Sequence, residues 1–261
     1  MLNSNLFDFK KNETTLTNIL FKFLIEKLNN DYICNVKLIK MASAKKTTKI
    51  DKQIIITKYM QYVLDYEHYP KSVYKFCKDV KIKEEDFYKY FGNVDALIRS
   101  VWNEFFSNTH QVMLDNKEYE NFSSREKMLT FFYTFFELLK MNRSFVLFDL
   151  DTDNDSLKKM KKLSGLRKQV REFAAKLIED DNEEKQYKLT QRPVTLFAEG
   201  AWIQLVFLLK FWIDDDSADF EKTDMAIEKS VNTIFDVFDN TPLDSIIDFS
   251  KFLWKEKSFW N

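Results

Sequence analysis

Apolar residues recur at intervals of three and four positions along much of the chain, which is the spacing of one face of an α-helix. Segments with this pattern occupy residues 54–66, 94–114, 128–139, 156–179, 194–213 and 224–239. Only 3 Gly and 3 Pro occur among 261 residues, which is few for a protein built from tight β-turns. The sequence therefore predicts an all-α fold with enough apolar residues for one or two domains.

Two short helical faces with a break between them lie within residues 72–98. Residues 73–77 carry the first apolar face, and residues 87–91 carry a second, aromatic one. Ser72 precedes the first helix, where its hydroxyl can accept a backbone N–H that would otherwise lack a partner. Two short helices joined by about four residues form the pattern of a helix-turn-helix. Gly92-Asn93 then ends the second helix, and residues 94–114 begin a long one.

The stretch from Ser72 to Leu97 resembles the DNA-binding half of the tetracycline-repressor (TetR) family. The resemblance is carried by Ser72-Val73, Phe76-Cys77, Ile82, Tyr88-Lys89-Tyr90-Phe91, Gly92-Asn93 and Ala96-Leu97, which fall at the family's spacing. The sixteen-residue step from Ser72 to Tyr88 is the most discriminating part. The resemblance implies an all-α protein with an N-terminal three-helix helix-turn-helix domain in residues 41–98. A helical-bundle domain for ligand binding and dimerisation follows in residues 99–261.

By this resemblance the chain is expected to be a homodimeric transcriptional regulator. Two heads would then bind adjacent major grooves of a pseudo-palindromic operator in double-stranded DNA. The expected DNA contacts are Ser72, Lys83, Tyr88 and Lys89, with Glu84 or Glu85 accepting from a cytosine amino group. Lys46 and Lys49 belong either to a basic arm that pairs with phosphates or to a solvated tail. In the family the helix that corresponds to residues 94–114 transmits ligand state to the heads, and the resemblance implies the same role here. A small apolar effector in the aromatic body is the expected ligand.

The chain departs from the family pattern where the second helix of the motif begins. Lys83-Glu84-Glu85-Asp86 replaces a small or basic set, Val94 replaces a lysine, and Lys81 replaces the turn glycine. Carboxylates at a helix N-terminus suit the helix dipole, but they repel phosphate. A second hypothesis therefore stays open, in which a TetR-shaped protein no longer binds operator DNA and acts as an interaction or small-molecule-binding module.

The C-terminal domain offers candidates for a ligand pocket and for a dimer interface. An aromatic stripe in residues 131–136 predicts either core or pocket, and Phe132, Phe136 and Trp202 are the pocket candidates. In the family the last two long helices of each subunit form a four-helix dimer interface. That resemblance places Leu205, Leu209, Ile227, Val231 and Phe235 in the interface.

Several local patterns in this domain carry predictions of their own. Ser123 and Glu126 have the spacing of a capping box, and Thr223 is expected to cap the last long helix. The alternating aspartates at 149, 151, 153 and 155 lack the glycine and glutamate of a calcium loop, so a solvated loop is expected. Lysines at 158, 159, 161 and 162 are interpreted as an exposed face. Residues 194–213 are interpreted as a buried helix and not as a membrane span.

Charge and composition narrow the class of protein further. The net charge of −1 conceals +4 in residues 41–103 and −7 in residues 104–261, which is compatible with a mildly basic DNA-binding module on an acidic body. Cys34 and Cys77 lack metal-ligand spacing and suit a reducing, cytoplasmic setting, with Cys77 as a core thiol. The chain has 2 His and no Gly-rich phosphate loop, HExxH or CxxC motif, so no enzyme, cofactor, metal site or membrane partner is expected.

Residues 1–40 do not resemble part of the helix-turn-helix fold. Residues 16–28 form an amphipathic helical pattern that is too short and too charged to span a membrane. Met41 is followed by a polar, basic start that is typical of an N-terminus. One hypothesis is that translation begins at Met41, and the alternative is an accessory helix. At the other end, residues 242–260 are expected to form a short amphipathic tail.

Overall fold

A computed structural model of the chain describes residues 50–151, 160–183 and 191–240. Within these ranges every regular element is a helix and no strand occurs, so the expected all-α fold is confirmed. The helices are α1 Lys52–Tyr66, α2 Val73–Asp79, α3 Glu84–Tyr88, α4 Val94–Leu114, α5 Ser124–Met141, α6 Arg143–Asp151, α7 Ser164–Glu183, α8 Val194–Asp214 and α9 Glu221–Asn240. Short 3₁₀ turns lie at Tyr119–Asn121 and Ala218–Phe220.

The described residues form two compact units. The first comprises residues 50–116, 133–151 and 160–162, and the second comprises residues 117–132, 163–183 and 191–240. The division passes through α5 after residue 132. The N-terminal extension, Lys46, Lys49, Cys34 and the C-terminal tail lie outside the described residues, as do the aspartates at 153 and 155 and the lysines at 158 and 159.

In the first unit α1 packs on α4 and α6, and α2 packs on α3. The centre of this packing is aromatic. The ring of Phe76 on α2 makes edge contacts with Tyr59 of α1 and Phe87 of α3, and Tyr59 also meets Phe145 of α6. All four rings are fully buried. Such rings pack favourably edge to face, so they fix α1, α2 and α3 as one three-helix head.

Side-chain caps set the starts of the head's helices. Ser72 Oγ accepts from the backbone N–H of Lys75 at 3.2 Å, as predicted. Asp51 and Asn93 cap α1 and α4 in the same way, each at 2.8 Å from a backbone N–H. Each side chain satisfies a donor that the first turn of a helix leaves unpaired, which explains why these helices begin where they do.

The turn between α2 and α3 is a helix C-cap with a residue in the left-handed region. Lys81 has φ 56°. Its N–H donates to the carbonyl of Lys78, and the N–H of Ile82 donates to Cys77 at 2.9 Å, which is the pattern of a Schellman motif. The resemblance had indicated a glycine at this position. The structure gives the reason, since glycine alone adopts this conformation without a steric cost.

In the second unit α8 packs on α7 and on α9. The predicted capping box is present at the start of α5, where the N–H of Ser123 donates to Glu126 and the N–H of Glu126 donates to Ser123 Oγ. The expected cap at Thr223 is wrong, because α9 begins two residues earlier, at Glu221. Thr223 instead donates to the carboxylate of Asp215 from both its backbone N–H and its hydroxyl.

Helix α8 is long and apolar, so its burial bears on whether it is a core helix or a membrane span. Among the described residues it is the one helix long and apolar enough to cross a membrane, and half of its most apolar window is buried inside the protein. Phe197, Leu205 and Trp212 belong to its buried face. The interpretation as a buried helix holds for one face of α8, whereas Ile203 and Phe207 are 66% and 53% exposed.

Candidate nucleic-acid interface

The exposed surface of the head is rich in lysine and tyrosine. We define the head surface as the exposed residues between positions 71 and 90 that can donate hydrogen bonds: Lys71, Ser72, Tyr74, Lys75, Lys78, Lys81, Lys83, Tyr88, Lys89 and Tyr90. Tyr74 and Tyr88 are 62% and 53% exposed, which is unusual for large aromatic residues. Lysine side chains and tyrosine hydroxyls are groups that proteins use to contact phosphate oxygens.

The structure places the four predicted contact residues on this surface. Ser72 caps α2, and Lys83 occupies the N-cap position of α3 without a side-chain hydrogen bond to the backbone. Tyr88 ends α3. The ring of Tyr88 does not close the core, since Phe87 and Phe91 do so at 0% and 4% exposure. The exposed ring of Tyr88 is therefore available to a partner.

The three carboxylates at the start of α3 lie in different environments. Asp86 accepts a hydrogen bond from Lys89 at 2.7 Å, and this bond raises the pKa of Lys89. Glu84 is half-buried, whereas Glu85 is exposed. The charge of Asp86 is therefore compensated by Lys89, which follows α3, and the charge of Glu84 is partly withdrawn from solvent. The acidic start repels phosphate less than the sequence indicated.

Cys77 is a core residue, as expected. Its side chain is 2% exposed. Burial raises the pKa of its thiol to about 11, and the nearby Glu84 carboxylate adds to the rise. A thiol with this pKa carries almost no thiolate at neutral pH, so it is a poor nucleophile and a poor metal ligand.

Lys58 also lies in the head, but it is committed to the fold. Its Nζ donates to the carbonyl of Val80 at 2.8 Å, at the C-terminus of α2. A lysine in this position satisfies one of the carbonyls that end a helix. We therefore do not count Lys58 among the DNA-contact candidates.

A buried polar cluster in the first unit was missed by sequence reasoning. Asp149 was expected in a solvated loop, but it lies in the last turn of α6 and is fully buried. Its carboxylate accepts from Tyr69 and from Trp102 Nε1, each at 2.9 Å. Lys162, expected on an exposed face, donates to the backbone carbonyl of Asp149 at 3.0 Å. Alternating aspartates are the signature of a solvated segment, so no local signal identified this one.

The three pocket candidates are buried side chains. Phe132, Phe136 and Trp202 are 0%, 4% and 5% exposed. Phe132 and Trp202 belong to the second unit, and Phe136 belongs to the first. Each is a core residue of the chain, and a pocket for an apolar effector stays a prediction.

The five dimer-interface candidates are buried within the single chain, and their place in an interface stays a prediction. Leu205, Leu209, Ile227, Val231 and Phe235 are between 0% and 4% exposed within the single chain. Their side chains form the chain's own core, so they offer almost no surface to a partner. The apolar residues that α8 exposes are Ile203, Val206 and Phe207, at 66%, 42% and 53%.

Helix α8 presents these residues as one stripe, which we call the α8 face: Glu199, Ile203, Val206, Phe207 and Lys210. Glu199 stands at one end, 3.1 Å from Arg167 and 3.0 Å from Arg171 of α7. Lys210 stands at the other end and is exposed. The α8 face is therefore an apolar centre between two opposite charges. Among the described residues, no group of three or more His, Cys, Asp or Glu side chains could hold a metal ion.

Comparisons with known proteins show which architectures the chain is similar to. Residues 127–253 match the sequence model of the tetracycline repressor-like C-terminal domain. A solved structure from Syntrophomonas wolfei str. Goettingen, assigned to the TetR family of transcriptional regulators, superposes with a TM-score of 0.55. It is 15% identical, and the match covers 74% of this chain and 96% of that one. No curated protein matched the chain.

A helix-turn-helix head followed by a tetracycline repressor-like C-terminal domain defines the class of protein. The family match covers the part of the chain in which the sequence offered only helical periodicity, and the head carries the motif between Ser72 and Leu97. Residues 127–253 therefore resemble the family's C-terminal domain, and the chain shares the fold of a TetR-family structure.

Proposed function

We propose that the chain is a homodimeric transcriptional regulator that binds double-stranded DNA through the head surface and acts in the cytoplasm. The observation that carries the proposal is the set of exposed lysines and tyrosines on a capped helix-turn-helix. Neutralising phosphates releases counterions from DNA, which supplies much of the affinity of such proteins. In this proposal residues 41–98 form the DNA-binding domain and residues 99–261 form the body.

Sequence selectivity is assigned to the exposed start of α3. Of the two glutamates expected to accept from a cytosine amino group, Glu85 is the exposed one. Lys83 lies two residues before Glu85 and can contact a neighbouring phosphate or a guanine edge. The position of the head on the DNA backbone would be fixed by Ser72, Tyr88 and Lys89, the last of which is ion-paired with Asp86.

The partner subunit is assigned to the α8 face. A twofold axis relates residue pairs that lie equally far from one centre along a helix. With the centre between residues 204 and 205, antiparallel α8 helices bring Ile203 against Val206 of the partner subunit. Burial of the exposed apolar stripe would favour this association.

Selection from a pool of random-sequence DNA tests DNA binding by the full chain. The proposal expects enrichment of a pseudo-palindrome by the wild-type protein. Glu85→Ala should relax the preference at one base pair in each half-site, since a lost base contact costs about 1–3 kcal/mol of discrimination. Glu172→Ala, at an exposed carboxylate of α7, is the matched control and should enrich the wild-type sequence.

A second function is favoured by one observation, the exposed carboxylate of Glu85 among the residues of the head surface. Under this alternative the chain has lost operator binding and acts as an interaction or small-molecule-binding module. It predicts that no sequence is enriched and that low salt does not restore DNA binding. The same selection experiment therefore separates the two proposals.

A further inference from the structure

The buried carboxylate of Asp149 joins three parts of the first unit that are distant in sequence. Oδ1 accepts from the Tyr69 hydroxyl at 2.9 Å, and Oδ2 accepts from Trp102 Nε1 at 2.9 Å. Lys162 Nζ donates to the Tyr69 hydroxyl oxygen at 2.6 Å and lies 3.6 Å from Asp149 Oδ1. Tyr69 thus donates to a carboxylate and accepts from an ammonium group at the same time.

These partners make a buried charge tolerable and demand a fixed geometry. An isolated carboxylate is strongly disfavoured away from water, and it persists when donors and an opposite charge surround it. Each carboxylate oxygen of Asp149 has its own donor, from a different segment of the chain. A displacement of either segment would leave a buried charge partly unpaired, so the cluster favours one arrangement over its neighbours.

The positions of the donors make the arrangement relevant to the head. Tyr69 lies in the connection between α1 and α2, three residues before the cap at Ser72. Trp102 lies in α4, the helix that follows the head. The carboxylate of Asp149 therefore ties the segment that enters α2 to the helix that leaves α3. None of the three residues belongs to the head surface.

We propose that Asp149 is a positioning residue that fixes the orientation of α2 and α3 relative to α4. Its effect on DNA binding rests on the proposed function, because a dimer must present two heads at one spacing to bind adjacent major grooves. Loss of the Asp149 bonds should widen the range of head orientations without altering the groups that contact DNA.

Tyr69→Phe and Asp149→Asn test this assignment, and Tyr59→Phe is the matched control. Tyr59 is a fully buried tyrosine of the same unit whose hydroxyl has no hydrogen-bond partner among the described residues, so its removal breaks no bond that the structure shows. Spin labels are placed on cysteines introduced at Lys78 of α2 and Ser107 of α4, both exposed, in a Cys34→Ser background. Excess unlabelled protein limits each dimer to one labelled copy. Pulsed electron paramagnetic resonance then reports the distance between the labels.

The expected result is one narrow distance distribution for the wild-type protein and for Tyr59→Phe. Tyr69→Phe and Asp149→Asn should broaden or shift it at a temperature where circular dichroism shows every variant folded. Unchanged distributions in both variants would overturn the proposal. This readout needs no DNA, so it stands even if the wild-type protein binds none.

A DNA readout connects the assignment to function. Operators that differ only in half-site spacing are compared, and the two variants should lose about tenfold of the wild-type selectivity between spacings, while Tyr59→Phe keeps it. Full selectivity in Tyr69→Phe and Asp149→Asn would contradict the positioning role. Failure of the wild-type protein to bind any operator would contradict the proposed function instead.

Discussion

The head surface and the α8 face are both exposed, yet they differ in every chemical property that decides a partner. The head surface combines lysines with tyrosine hydroxyls, whereas the α8 face is an apolar stripe with an ion-paired glutamate at one end and a lysine at the other. The first suits a polyanion, and its affinity should depend on salt. The second suits an apolar surface of the same kind, which a second copy of the chain provides.

The comparison also shows why exposure carries more information than residue type in this chain. Leu205 and Ile203 are neighbours on the same apolar helix, but one is fully buried and the other is 66% exposed. Lys58 and Lys75 are both head lysines, but Lys58 is hydrogen-bonded to the end of α2. We therefore assign the dimer contact to Ile203 and not to Leu205, and the DNA contact to Lys75 and not to Lys58.

The largest expected effect comes from placing charge on the α8 face. Ile203→Glu combined with Phe207→Glu should convert the dimer to a monomer, with at least a hundredfold loss of dimer affinity, since central interface residues contribute about 2 kcal/mol or more each. Sedimentation equilibrium measures the change. Leu114→Glu, at an exposed leucine of α4, is the control and should leave the dimer intact. A double variant that remains dimeric would show that the partner binds elsewhere.

A smaller effect is expected at the turn that ends α8. Asp215 is buried, which by itself raises its pKa, but hydrogen bonds from Ser217 and Thr223 lower the pKa to about 2. The ordinary value is 3.8, and the difference corresponds to about 2 kcal/mol of stability. That contribution is fully present above pH 3.8 and is lost as the pH falls towards 2. Residues 219 and 220, which adopt positive φ, lie between the two donors.

Asp215→Asn tests this linkage by denaturant unfolding at several pH values. The variant should be less stable than the wild-type protein at pH 7, and the gap should close as the pH falls from 4 to 2. Asp216→Asn is the control, because Asp216 is exposed and its lowered pKa reflects a surface bond to Lys222. A gap that stays constant down to pH 2 would mean that ionised Asp215 is not the stabilising form.

The smallest effect is expected at the turn between α2 and α3 of the head. Lys81 has φ 56°, so Lys81→Gly should stabilise the protein by about 1 kcal/mol through relief of left-handed strain. Lys78→Gly, within α2, should destabilise it by about 1 kcal/mol, as glycine does inside a helix. Thermal unfolding measures both. If the two substitutions act with the same sign, the strain at Lys81 is not as described.

The parts of the fold that the sequence predicted correctly depend on neighbouring residues. Ser72 and the pair Ser123–Glu126 cap helices with groups three residues away, so their roles follow from local spacing. The long helix α4 was predicted with its observed bounds, because Asn93 marks its start and its apolar positions are periodic. The four-residue turn between α2 and α3 was predicted from the break between two short helical patterns.

The parts that were missed depend on residues far apart in the chain. Asp149 is buried because its donors, Tyr69 and Trp102, approach from 80 and 47 positions away. Helix α8 is apolar on nearly all sides, so periodicity could not decide which face meets α7 and α9 and which stays exposed. Periodicity therefore could not show that Leu205 and Leu209 are buried within the chain while Ile203 and Phe207 are exposed.

The salt dependence of DNA binding tests the central claim most directly. The affinity of the full chain for its selected DNA is measured over a salt series and compared with that of Lys75→Glu/Lys83→Glu. Lys168→Glu/Lys176→Glu, at exposed lysines of α7, is the control with the same change in net charge. We expect the head variant to bind weakly with a salt slope reduced by about 1 for each lost phosphate contact, and the control to match the wild-type protein. Equal losses in both variants, or no wild-type binding at low salt, would contradict the assignment of DNA binding to the head surface.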